Sequence, residues 1–242
     1  MGVNFLKLNT DKTKIKIFKH KRSIIPDLTG IGQICTDSVK ILGAKFDQNL
    51  NFNDFISAKI RTCNFHLRNL YNVKDSLNTT TRILMVTNLI WSTMDYCNIL
   101  LLGLNDRKLR PLKIMMNKAV RFIYNVKPRS HITPYYKKAH FLPIKQRIKF
   151  KACLTAFKFF YNFSPKYLAD EFEIFVPISN IILREESGRD RWMFKISTSE
   201  NLSRTLNASI KIEWNRLPLR LRKCDTIELF KSRLKTHLFC EY

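Results

Sequence analysis
The sequence predicts a mainly α protein, a helical bundle preceded by a small β segment, and three observations carry that expectation. Apolar residues recur at helical spacing from Asn51 onward, whereas the stretch before it holds short alternating runs. Only 6 Gly and 8 Pro occur in 242 residues, too few for the tight turns of an all-β meander. A hydrophobic content of 45%, with 12% aromatic residues, supplies a core and excludes a disordered or low-complexity chain. Chains of this size form one large domain or two modest ones and bury roughly 70–75% of their unfolded surface.

Each element follows from its local pattern. Lys14-Ile15-Lys16-Ile17-Phe18-Lys19 alternates as a strand does, and Val39-Lys40-Ile41-Leu42-Gly43 opens a second apolar run, with Gly30 and Gly32 in the connection. Phe52, Phe55, Ile56, Cys63, Leu67 and Leu70 mark one face of a helix over 53–73, which Asn51 or Asn53 is placed to cap. Thr79-Thr80-Thr81 begins a second helix that reaches about 101. A third starts near Asp106, tolerates Pro111 in its first turn, and turns Leu109, Leu112, Met116, Ala119, Val120 and Ile123 inward. Thr133-Pro134 supplies an N-cap and first-turn pair for a short helix. Pro143 starts a longer one, with Ile144, Ile148, Ala152 or Cys153, Phe157 and Phe160 as its stripe. Ser164-Pro165 opens a short helix to about 172. The segment 174–200 is weakly periodic, with Arg191 to Ile196 its nearest approach to a strand. Asp225-Thr226-Ile227-Glu228 has capping-box form ahead of a terminal helix carrying Leu229, Phe230, Leu234, Leu238 and Phe239. The expected division is 1–50 as a β segment, 51–173 as a basic helical domain and 174–242 as a C-terminal region.

Charge points to the partner. Lys and Arg number 43 against 19 Asp and Glu, a net +24, and between Arg107 and Lys158 there are 15 cations and no carboxylate. An ordinary solvated face mixes signs, so one-sign density on this scale fits phosphate contact with counterion release. The candidate nucleic-acid-binding residues are Lys12, Lys14, Arg107, Lys108, Arg110, Lys113, Lys118, Arg121, Lys127, Arg129, Lys137, Lys138, Lys145, Arg147, Lys149 and Lys151. Tyr124, Tyr135, Tyr136 and Phe141 are interleaved with them, either to stack on bases or as core residues beneath the cations. The expected partner is RNA, DNA or an RNA–DNA hybrid, and not a membrane. Acidic residues gather instead at Asp170, Glu171, Glu173, Glu185 and Glu186.

Other function classes find little support. Two-metal phosphoryl transfer needs converging carboxylates, and Asp95 stands alone on an apolar helix where a hydrogen-bonded structural role suits it better. Cys63 with His66, and His237 with Cys240, each place two zinc-type ligands one helical turn apart, but far from one another in sequence. No catalytic residue, metal ligand set or cofactor motif is therefore assigned. The apolar run Leu84 to Leu104 carries Asn88, Asp95 and Asn98 near its middle and reads as a buried helix. Six scattered cysteines and an N-terminus lacking a signal-peptide core indicate an intracellular protein, nuclear and cytoplasmic.

Several phrases then stand out together. They are Leu6-Lys7-Leu8-Asn9-Thr10-Asp11-Lys12-Thr13, Val39-Lys40-Ile41-Leu42-Gly43, Met94-Asp95-Tyr96-Cys97-Asn98, Met116-Asn117-Lys118-Ala119-Val120-Arg121, His131-Ile132-Thr133-Pro134, His140-Phe141-Leu142-Pro143-Ile144 with Arg147, Trp214-Asn215 with Leu217-Pro218, and Phe230-Lys231 through Phe239. In this order they resemble the C-terminal portion of the reverse transcriptases of non-LTR retrotransposons, LINE-type elements of the jockey and chicken-repeat group. The resemblance implies the end of an α/β palm over 1–30, a primer-gripping turn over 35–50 with Leu42 and Gly43 at its tip, and a thumb-like helical body beyond. It implies that Lys12 matches the palm lysine beside the incoming nucleotide. The two family motifs that carry the metal-binding aspartates have no counterpart in these residues, so polymerase activity is not expected of them alone, and Mg²⁺ belongs only to a complete polymerase. The resulting expectation is a non-catalytic reverse-transcriptase fragment that keeps a basic nucleic-acid-binding surface. The alternative is a helical protein-interaction module, or a poorly folded pseudogene product, with no nucleic-acid role.

Overall fold
The computed structural model describes residues 9, 13–18, 38–175, 192–196 and 205–241. Lys12, Lys19, Gly30 and Gly32, and the acidic pair Glu185 and Glu186, lie outside them. The fold is mainly helical with a small two-stranded antiparallel sheet near the N-terminus. Two compact units divide it, residues 1–61 and 62–242.

In the first unit β1 (Ser38–Ile41) pairs with β2 (Ala44–Asp47) through a two-residue turn, in the register Ser38↔Asp47 to Ile41↔Ala44. Leu42 and Gly43, the expected primer-grip residues, are that turn, with φ of 45° and 86°. Two successive positive φ values match the right-handed twist of the strands, which is why the tight hairpin closes here. Leu42 is 85% exposed at the tip. The strand expected over 14–19 is reduced, in its described part, to a bridge at Ile15. Asp47 closes the loop after β2 by accepting the backbone N–H groups of Asn49, Asn51 and Phe52 at 2.9–3.0 Å. Lys45 hydrogen-bonds Asp54 at 2.6 Å, and its ammonium holds that carboxyl below the usual carboxylate range. α1 (Asn53–Asn72) begins at this point and runs through the division between the units. Phe52, Phe55, Ile56, Cys63, Leu67 and Leu70 are all buried, as their spacing predicts.

In the second unit the expected helix over 79–101 is interrupted twice. α2 (Thr79–Met85) is capped by Asn78, whose side chain accepts the Thr81 N–H at 2.8 Å, not by the threonines. It passes into a π-helical turn, Val86–Trp91, and then α3 (Ser92–Asp95). Cys97 then adopts φ 50°, ending the helix, and a 3₁₀ turn covers Asn98–Leu101. α4 (Asp106–Tyr124) is capped by Asn105 and carries Pro111 in its early turns. α5 is Thr133–Lys138, with Ile132 and not Thr133 in the capping position, α6 is Ile144–Phe160 and α7 is a single turn, Lys166–Ala169, shorter than the helix expected to 172.

The region after α7 holds what periodicity did not reveal. Phe194 forms an isolated antiparallel bridge with Ile174 in place of a strand over 191–196, of which Arg191 lies outside the described residues. α8 (Leu206–Arg216) is capped by Thr205 and followed by the single turn α9 (Leu219–Arg222). α10 (Ile227–Cys240) is capped by Thr226, so Glu228 stands too early to complete a capping box from Asp225. α8 and α10 both pack on α6. The core between them gathers Ala152, Cys153, Ala156 and Phe157 of α6, Ile210 and Trp214 of α8, and Phe230, Leu234 and Leu238 of α10. Phe157 and Phe230 stack at 4.5 Å. Arg222, almost fully buried, donates to the carbonyls of Leu217 at 3.1 Å and Trp192 at 3.0 Å. Burial pushes the Tyr161 hydroxyl up to about 12, so it stays protonated and donates to the Arg222 carbonyl at 2.9 Å. Among the described residues no helix is long and apolar enough to cross a membrane.

Candidate nucleic-acid interface
α4 places the central cations. Its buried face carries Leu109, Leu112, Met115, Met116, Ala119, Val120, Phe122 and Ile123, so at 100° per residue the opposite face turns Arg107, Arg110, Ile114, Asn117 and Arg121 outward. Lys113 and Lys118 flank that line. Two concavities lie along it. One, of about 580 Å³, is lined by Arg107, Arg110, Lys113, Ile114 and Asn117 with Ile144 and Lys145 of α6. The other, of about 540 Å³, is lined by Ile114, Asn117, Lys118 and Arg121 with Leu67, Tyr71, Val126 and Pro128. Both are lined by Ile114 and Asn117, and together these two adjoining hollows, the α4 trough, take in six of the expected residues: Arg107, Arg110, Lys113, Lys118, Arg121 and Lys145.

The trough has a built floor and end. The Tyr136 hydroxyl donates to Asn117 Oδ1 at 2.9 Å from beneath. Arg121 reaches past the end of α4 to the carbonyls of Lys127 at 3.4 Å and Ser130 at 3.2 Å, which fixes the following loop. Asp106 lines the other end and is ion-paired with Lys145. Arg107, Arg110, Lys113 and Lys118 have no ion-pair partner among the described residues.

The remaining candidates divide among other surfaces. Lys14, Lys127, Arg129, Lys137 and Lys138 are exposed, and Lys138 lies over the Tyr124 ring at 5.4 Å. Lys108 is half-buried toward the inner side of α4. Arg147 forks onto Asp95, with Nε donating to Oδ1 at 2.8 Å and Nη2 to Oδ2. Lys149 faces Glu241 at 3.4 Å and Glu213 at 3.8 Å. Lys151 lines a separate cavity with Arg147. The acid-free block is thus not acid-free in space: Asp95, Asp106, Glu213 and Glu241 come from outside it to neutralise Arg147, Lys145 and Lys149.

The aromatic candidates change places. Tyr136 and Phe141 are buried, and Tyr135 leans on Tyr124 at 5.4 Å. Tyr71 of α1 is 47% exposed, lines the trough and rests edge-on against Phe122 at 5.0 Å. Sequence reading passed over it because it sits far from the basic block in the chain. Cys63 is buried with its thiol toward the Ile90 carbonyl, and no three of His, Cys, Asp and Glu gather among the described residues.

Fold and trough together define a helical body with a cationic, partly aromatic groove along α4. No family model matches this chain, and neither a curated protein nor a solved structure matches it.

Proposed function
We propose that the second unit binds nucleic acid through its phosphate backbone, as the thumb-like part of a non-LTR retrotransposon reverse transcriptase without the catalytic aspartates. The supporting observation is the trough along α4, where four cations have no ion-pair partner among the described residues and two more border the same surface. A partner is the natural source of the missing negative charge, since clustered like charges raise the energy of the folded chain until something neutralises them. Phosphates would sit against Arg107, Arg110, Lys113 and Lys118, while Tyr71 offers a ring face to a base or sugar. Such contacts position a duplex without reading its sequence, so an RNA–DNA hybrid is recognised by backbone and shape.

The quadruple variant Arg107→Gln, Arg110→Gln, Lys113→Gln and Lys118→Gln tests this reading. Each cation that meets a phosphate contributes about one unit to the slope of log affinity against log salt, so the variant's slope is expected to be shallower by about four. Fluorescence anisotropy on a labelled hybrid reads it. Circular dichroism of the variant should match the parent, because these side chains make no ion pairs among the described residues. Equal slopes would mean that these four cations meet no phosphate, and no measurable binding of the hybrid by the parent would point to a protein-interaction module in place of a nucleic-acid one.

A further inference from the structure
A second charged concavity lies away from the trough, bordered by the π-helical turn, the loop before α6, α6 itself and α10. It encloses about 300 Å³, and its lining includes Trp91, Asp95, His140, Arg147, Lys151 and Lys235. Its charge does not balance. Asp95 is the one carboxylate in the lining, and both its oxygens are occupied, by the Arg147 fork and by Asn98 Nδ2 at 3.3 Å. Lys151 and Lys235 have no ion-pair partner among the described residues, so Arg147, Lys151 and Lys235 against Asp95 leave the lining a formal excess of +2. Burial, with the nearby Arg147 charge, lowers Lys235 below the usual lysine range, which marks an ammonium that is partly desolvated and uncompensated. The buried indole N–H of Trp91 also has no hydrogen-bond partner among the described residues.

We propose that this cavity is a binding site for a single phosphate group, held by Lys151 and Lys235 with the outer edge of the Arg147 guanidinium. A phosphate dianion matches the excess charge, and its several oxygens accept from ammonium and guanidinium donors at once, which a carboxylate does less fully. The volume exceeds that of the phosphate alone and admits part of an attached sugar. Asp95 holds Arg147 in place for the anion and repels one that comes too deep. The site is independent of the α4 trough and stands or falls without it.

Isothermal titration of the full chain at constant ionic strength, using inorganic phosphate and adenosine monophosphate with chloride as the balancing salt, provides the test. Saturable binding is expected, weakened at least about tenfold in Lys235→Met and in Lys151→Gln and unchanged in Lys166→Gln, an exposed cation of α7 outside both surfaces. A competition arm with 5′-phosphorylated and 5′-hydroxyl oligonucleotides identifies the source. Preference for the phosphorylated strand assigns a strand end, preference for the mononucleotide assigns a nucleotide, and parity with inorganic phosphate assigns the free anion; each upholds a phosphate site. If Lys235→Met loses its fold by circular dichroism, Lys151→Gln decides alone. No saturable binding up to about 10 mM phosphate, or parent-like affinity in Lys151→Gln, overturns the assignment.

Discussion
Trp214→Ala is expected to destabilise the second unit by about 3–5 kcal/mol, read as a shift of the urea midpoint by circular dichroism. The side chain is 0% exposed, and its ring lies among those of Phe160 at 5.4 Å, Phe230 at 5.8 Å, Phe194 at 5.9 Å and Phe157 at 6.3 Å. Truncation leaves a cavity that rings on α6 and α10 cannot collapse to fill. The indole N–H also donates to the Trp192 carbonyl at 2.9 Å, but Arg222 Nη1 donates to the same oxygen at 3.0 Å. That carbonyl keeps a partner when Trp214 is removed, so lost packing outweighs the lost hydrogen bond. Trp214→Phe separates the two contributions, because it restores most of the ring without the N–H, and its expected loss is about 1–2 kcal/mol. A loss as large as the alanine variant's would make the hydrogen bond the larger contribution.

The second large effect concerns Asp95. Asp95→Ala is expected to lower stability by about 2–4 kcal/mol, because it leaves a half-buried guanidinium without its counter-charge. Arg147 and Asp95 have side-chain exposures of 17% and 24%, so water compensates little of the loss. Asn98, at 1% exposure, also loses the acceptor for its Nδ2 group. Removing both charges should be gentler than removing one. Asp95→Ala combined with Arg147→Met, which keeps apolar contact with the Trp91 ring now 5.5 Å from the guanidinium, is expected to be more stable than Asp95→Ala alone. Thermal melts of the three variants beside the parent measure this, and a double variant weaker than Asp95→Ala would contradict the pair's role.

The helices that could be read from the chain are those whose apolar residues fall on one stripe. α1, α4 and α6 start within a residue or two of their expected positions, because Pro143 marks one start and the inward residues of α1 and α4 repeat every three or four positions, although Phe52, and neither Asn51 nor Asn53, holds the capping position of α1. α8 escaped notice for a physical reason. Ile210-Lys211-Ile212-Glu213-Trp214 alternates apolar and polar residues as a strand does, and only its packing on α6 selects the helix. The π turn was equally invisible, since inserting one residue into a buried helix leaves an apolar run apolar. Part of the candidate interface was legible, because Arg107, Arg110, Lys113, Lys118 and Arg121 lie on one helix whose period fixes their common face. The pairing of Arg147 with Asp95 and of Lys149 with Glu213 and Glu241 was not, since those carboxylates stand 52 to 92 residues away, a separation across which linear charge counts carry no spatial information. The same limit hid Tyr71 and Lys235, which only folding brings beside cations distant in the chain.

The account rests on one claim, that the α4 trough grips a chain of phosphates, and the salt dependence of hybrid binding by the unaltered protein tests it most directly. Six cations bordering the trough predict that affinity for an RNA–DNA duplex falls by about 10³ between 50 and 200 mM monovalent salt. An affinity that changes less than about fivefold over that range would contradict it, because no more than one phosphate contact would then be in play.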